Sequence, residues 1–385
     1  MATTYPVQTV HPFRRWRSVG VTPALFLHAL AFYLSLAIGG VGIGEEVDVM
    51  RMIASALVLF SALVLINRSH PPRAQVIIIL LIFIYTLISL YRTDALNLAI
   101  QKLDGFIIGG VLSYIIGSSL YAKFGENFLK GFIFVANFIL LLTVAYKLNF
   151  GFSDRQVRFF LNGPIVFGWL MAIAGLVALS IAEHSRSKKF YVLSGFFVIA
   201  MLWSASKGPL IGFIAAIPFV LVENRIRRIM SLVTLFVASF IVLSEFHLIP
   251  KRLLVQGNIF SQDTTSENFG SIGIRRAMWQ DAWSIFRSEP FFGVGIANWP
   301  QYTSLFLRQY GFEYPHNILA EILSEHGALG IIFWGSILVF VFKITHGLSR
   351  AILMFSVSAL MFSGDMSYWR LLIFLPLIFA SEKVR

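Results

Sequence analysis

The chain has 385 residues, of which 57% are hydrophobic and 13% charged, against roughly 45–50% and about 25% in ordinary soluble domains. With a mean hydropathy of +0.77 and 38 phenylalanines, its apolar surface exceeds what one water-soluble core can hide, so lipid must solvate most of it. Cysteine is absent, which excludes disulfide frameworks, thiolate nucleophiles and Cys-ligated zinc; the net charge of +12 is spread in short clusters between apolar runs, a pattern that orients helices and requires no nucleic acid.

Charge-free stretches run in chain order over 18–44, 52–67, 74–91, 105–122, 131–146, 159–182, 190–206, 208–222, 229–244, 327–342, 351–364 and 371–381. They predict an all-α polytopic membrane protein of about 12 transmembrane helices, the shorter ones completed by snorkelling Lys and Arg or by interfacial Trp and Tyr. Arg14, Arg15 and Arg17 precede a long apolar run without a small-residue cleavage pattern, which reads as an uncleaved anchor with a cytoplasmic N-terminus. Alternating from there, 17 of the 31 Lys and Arg fall inside and 8 on short outer connections, so both termini are expected in the cytoplasm.

Three regions follow: 1–244 with helices one to nine and short loops, a large outer loop at 245–315, and 316–385 with a helix start on the outer side and helices ten to twelve. Trp279, Trp283, Phe286, Trp299 and Tyr302 argue that the loop is ordered. Within it Arg275, Trp279, Trp283 and Phe286 recur at one face of a short amphipathic helix, an arrangement suited to lying on a membrane surface with arginines at lipid phosphates. Then come Pro290-Phe291-Phe292-Gly293-Val294-Gly295, whose glycines suit a turn, and His316-Asn317 ahead of a helix that closes on Glu325-His326-Gly327-Ala328-Leu329-Gly330.

His316 and Asn317 read either as a capping pair or as a proton acceptor beside a helix N-terminus. Glu321 and Glu325, four apart, either solvate a face, supply a base or orient His316, while His326 fits a helix C-terminus. No His-Glu-x-x-His or Asp-x-Asp cluster is present, so neither a metal nor a cofactor is expected.

The order of arginine plus tryptophan, Pro-Phe-Phe-Gly-Val-Gly, and His-Asn with Glu-His-Gly-Ala-Leu-Gly resembles the O-antigen ligase and O-antigen polymerase superfamily of bacterial membrane glycosyltransferases. A further family element, Ser-Arg-Gly, is matched by Ser206-Lys207-Gly208, where lysine keeps the charge but loses the bidentate fork. The resemblance implies a metal-independent transfer of a glycan from an undecaprenyl-diphosphate carrier to an acceptor hydroxyl at the periplasmic face of the inner membrane. The acceptor is a lipid A core sugar for a ligase, the slightly favoured reading, or a lipid-linked repeat for a polymerase. It also implies catalytic roles for His316, Arg275 and Lys207, with Arg276, Asn317, Glu321, Glu325 and Trp279 near the substrate and membrane lipid around them. The rival from another class is a polysaccharide transporter or flippase, which predicts inverted repeats and broken helices meeting at the bilayer midplane.

Because the chain holds no cysteine, a single cysteine placed at Ser266 is expected to react with an impermeant thiol reagent from the outer side. Labelling only after the cytoplasm is opened would overturn the topology.

Overall fold

The computed structural model describes residues 21–38, 49–68, 71–154, 157, 159, 163–221, 271–308 and 311–380. Of these, 84% are helical, and no strand occurs among them. The helices are α1 (Pro23–Ile38), α2 (Val49–Leu65), α3 (Arg73–Leu90), α4 (Leu96–Phe124), α5 (Glu126–Phe150), α6 (Pro164–Ser185), α7 (Lys188–Trp203) and α8 (Lys207–Val220). They continue with α9 (Ser271–Ser288), the single turns α10 (Trp299–Tyr302) and α11 (Leu305–Arg308), α12 (Ile318–Ile344), α13 (Gly347–Ser363) and α14 (Met366–Ala380). The stretch expected to span at 229–244, the N-terminal arginines and the labelling position Ser266 lie outside the described residues.

Among the described residues five helices, α3 to α6 and α12, are long and apolar enough to cross a membrane, and α1, α2, α8, α13 and α14 are shorter apolar helices. Helix α6 is the central post: 94% of its apolar window is buried, against 22% for α3, whose Leu80, Leu81, Ile84 and Ile88 face outward where lipid would lie. An all-apolar helix without a preferred face is what a position surrounded by protein requires. Pro164 opens α6 at its first turn, where its missing N–H costs nothing.

Two expected boundaries move. The stretches expected to begin at 105 and 327 are the later parts of α4 and α12, which start at Leu96 and Ile318. Lys102, expected on an outer connection, therefore lies inside a helix, where it is neutralised by Glu321 and Glu325, which the sequence already placed on a helix. Arg370, also placed on an outer connection by charge alone, is buried in α14, where its Nε donates to the Leu36 carbonyl near the C-terminal end of α1 (2.8 Å).

Helix α12 is broken at Gly327, where φ is 62° and ψ −158°, a region open essentially to glycine alone. The break frees backbone groups on both sides, and the 290–295 segment binds them. Val294 and Gly295 N–H donate to the Ser324 and Glu325 carbonyls (both 2.9 Å), while Ala328 and Leu329 N–H donate to the Pro290 and Phe291 carbonyls (2.8 and 3.1 Å). A Cβ on Gly327 would sit 2.6 Å from the Phe291 carbonyl carbon, and one on Gly293 would sit 2.4 Å from that of Glu325. The glycines that suited a simple turn in the sequence thus serve a backbone-to-backbone contact with α12.

Gly327→Ala is expected to cost about 1–3 kcal/mol from backbone conformation alone, more with the clash. It should lower the thermal midpoint in detergent, whereas Gly335→Ala in the same helix, where a Cβ meets nothing within 4 Å, should leave it unchanged or raise it.

Candidate functional site

Helix α9 packs on α12 through Met278, Ala282 and Ile285, spaced i, i+4, i+7, which cluster with Val294, Trp299, Leu307 and Ala320. This stripe sits beside the aromatic face counted in the sequence, because small and aliphatic side chains fit against α12. Trp279 and Trp283 consequently face outward, 38% and 51% exposed. Arg275, at the flank of the buried stripe, turns inward and donates from Nη2 to the Ser363 hydroxyl (3.2 Å). Arg276 is exposed, so the two adjacent arginines are not interchangeable.

Ser363 ends α13, and α13 lies closely along α8. The contact depends on Gly208 and Gly212: a Cβ at 208 would be 3.1 Å from the Ala359 carbonyl, and one at 212 would be 2.7 Å from that of Phe355. Such small-xxx-small spacing lets helix backbones meet in membranes. The same Cβ position of Gly208 is 3.8 Å from the Ser363 hydroxyl. Two short steps through Ser363 therefore join the residue next to Lys207 to the Arg275 guanidinium, although they are far apart in the chain.

His316 completes this corner. It adopts φ 51°, a left-handed conformation that histidine visits more readily than most side chains, and it precedes α12 directly. Its ring packs edge-on against Tyr314 (4.4 Å) and Phe312 (5.7 Å). Nδ1 is buried with no hydrogen-bond partner among the described residues. Burial, and then the positive charge of Arg275, push the imidazole down to about 4, so the ring is neutral at neutral pH and carries a free lone pair.

Asn317, expected near the substrate, is committed elsewhere. Its Oδ1 caps α12 by accepting from Leu319 and Ala320 N–H (2.9 and 3.0 Å), and its Nδ2 donates to the Met361 carbonyl of α13 (2.9 Å). The amide thus fixes where α12 begins relative to α13, two residues from Ser363.

Glu321 and Glu325, expected near the substrate or as bases, are wholly buried and bonded at all four oxygens. Lys102 Nζ donates to Glu321 Oε1 (2.5 Å) and to both oxygens of Glu325 (3.0 and 3.3 Å). Met366 N–H binds Glu321 Oε2 (2.9 Å), and Ala297 and Trp299 N–H bind Glu325 (2.8 and 3.4 Å). His326 sits at the break before Gly327, with Nε2 3.1 Å from Met366 Sδ and Nδ1 3.5 Å from Ser89 Oγ; the preceding carbonyls bind the 294–295 backbone instead of its ring.

Two residues of this architecture were not singled out in the sequence. Lys102 looked like one more outer lysine. Asn298 is fully buried and ties the 290–299 segment to the start of α4, accepting from Thr93 Oγ1, Asp94 N–H and Ala95 N–H while donating to the Arg92 and Val294 carbonyls. A lysine and two carboxylates on apolar helices are a hint of internal pairing, but their partners are more than 200 positions apart.

Residues 190–335 match the family model described as O-antigen ligase. That segment runs from α7 into α12 and holds Lys207, Arg275, His316 and both glutamates, so the resemblance to the O-antigen ligase and polymerase superfamily is borne out there. No curated protein matches the chain. The match spans well under half of the chain, and it sits in a protein that carries several helices long and apolar enough to cross a membrane.

Asn317→Ala should lower stability by about 0.5–2 kcal/mol, the range for a lost N-cap. It should also reduce activity more than Arg276→Ala, since it frees the helix start that carries His316; both are read from detergent melts and turnover of the purified variants.

Proposed function

We propose that the protein transfers a glycan from an undecaprenyl-diphosphate carrier to an acceptor hydroxyl at the periplasmic face of the inner membrane. In this reading 245–315 is the outer segment, 1–244 and 316–385 are membrane-embedded, and the acceptor is a lipid A core sugar. The observation that carries it is the convergence of Arg275, the start of α8 and His316 on the end of α13. A departing diphosphate needs cations, and an attacking hydroxyl needs a base; this corner offers both.

Arg275 and Lys207 stabilise the negative charge on the leaving diphosphate in place of a metal ion, Arg275 held by Ser363. The acceptor oxygen attacks the anomeric carbon, the bond from that carbon to the phosphate oxygen breaks, and its electron pair leaves with the polyprenyl diphosphate. The hydroxyl proton passes to His316 and from there to water. A base held near 4 in the free protein is weak, but the Arg275 charge that depresses it is the one the donor's diphosphate offsets. Donor binding therefore raises the basicity of His316 as it brings the reaction together.

His316→Ala should lower turnover about 10²- to 10⁴-fold, the usual contribution of a general base, while donor binding persists. With the wild-type protein, the acid limb of kcat/KM should lie near pH 4, because protonation of the free imidazole removes the base. The acid limb of kcat should lie at higher pH, because the bound diphosphate raises the group. Coincident limbs, or near-normal turnover of His316→Ala, would sink the assignment. Offering purified protein a lipid A core oligosaccharide and a lipid-linked repeat in parallel decides between ligase and polymerase.

A further inference from the structure

We infer that Lys102 is a positioning residue for the transfer, holding the first two turns of α12 and the 297–299 segment in register through Glu321 and Glu325. This rests on the functional reading above, and it lies outside the segment matched by the family model, 190–335.

The short arm of α12, from Asn317 to the break at Gly327, is anchored at three places. At its start the Asn317 amide reaches Met361, and at its end the 290–295 backbone occupies the break. Between them the only cation bonded to the arm among the described residues is Lys102 of α4, 7% exposed, whose ammonium meets both carboxylates. The glutamates lie on one face because they are four residues apart, and Glu321 sits in the first turn of the helix that His316 precedes.

The oxygens of the two glutamates also reach outward to different segments. Glu325 receives Ala297 and Trp299 N–H, and Trp299 packs in the cluster that seats α9 and hence Arg275. Glu321 receives Met366 N–H at the start of α14, close behind the end of α13 where Ser363 lies. Lys102 is thus the common counter-charge of a node with one branch towards Arg275 and another towards Ser363, while His316 stands at the head of the same helix arm. Without it Glu321 and Glu325 lose the charge they share, Asp365, buried nearby, loses part of its own compensation, and among the described residues the middle of the arm keeps only apolar packing and backbone N–H bonds to carboxylates that repel one another.

Removing the cation should displace the base and the arginine relative to each other without removing either. A misplacement of this kind typically costs on the order of 10²-fold in rate. It should appear in kcat with the donor KM within about twofold, because neither Arg275 nor Lys207 is touched.

The test compares wild type, Lys102→Met, and Lys102→Met combined with Glu321→Gln and Glu325→Gln, all as full chains in detergent. The triple variant removes both carboxylates that Lys102 bonds and leaves Asp365 with Ser367 and Arg370, so it decides the question if Lys102→Met does not fold. Turnover is measured with a polyprenyl-diphosphate glycan and a lipid A core oligosaccharide, and hydrogen exchange is followed at the Ala297 and Met366 amides. Support is a folded variant with at least a tenfold lower kcat, an unchanged KM and faster exchange at both amides. A folded variant with wild-type kcat, a loss confined to KM, or unchanged exchange at those amides overturns the inference. Should wild type transfer nothing to either acceptor, the functional reading falls, and the exchange measurement alone decides whether Lys102 holds the node.

Discussion

A helix surrounded by apolar groups cannot stop and restart unless other groups take over the hydrogen bonds it gives up, since each one left unmade costs several kcal/mol in hydrocarbon. The break of α12 at Gly327 meets that constraint by borrowing backbone from 290–295, with two carbonyls and two N–H groups bound in a short ladder. Much of the architecture from 290 to 327 is arranged around this exchange. It brings Ala297 and Trp299 to Glu325, seats α9 against the first turns of α12, and through α9 presents Arg275 to the end of α13.

The proposed site is built where helix ends meet rather than within any one helix. Arg275 comes from the first turn or so of α9, residue 208 from the start of α8, Ser363 from the last residue of α13 and His316 from just before α12. Helix ends are where backbone groups lie unpaired and where chain direction changes, so unlike functional groups can be brought together over short distances. The glycine contacts of α8 on α13 and the Asn317 bond to Met361 hold those ends in place.

Much of this was legible in the sequence and the rest was not, for identifiable reasons. Apolar runs and charge clusters located most of the helices now described, and the i, i+4 pattern located α9. Helix limits failed at α4 and α12 because counting charge-free residues treats every charge as a boundary, whereas Lys102, Glu321 and Glu325 cancel one another inside the bundle. Spacing placed Glu321 and Glu325 on one helix face but could not reveal a partner over 200 residues away. Asn317 was ambiguous between cap and ligand, and only the directions of its amide contacts resolve it as a cap. The packed face of α9 is another case: periodicity identifies a stripe of large side chains, but a neighbouring helix selects the stripe that fits, here Met278, Ala282 and Ile285.

The glycine seam between α8 and α13 separates two properties usually carried by one residue. Where the cation at position 207 stands is fixed by its successor, since no side chain larger than hydrogen fits at Gly208 without pushing on the Ala359 carbonyl. What that cation is remains free to vary, because Lys207 itself is only partly covered. A lysine or an arginine can therefore occupy the same address, one as a compact charge and the other as a planar fork. The fold has made location a matter of backbone and left chemistry to the side chain, so under the proposed function the strength and geometry of anion binding are tunable at 207 without rebuilding the bundle beneath it.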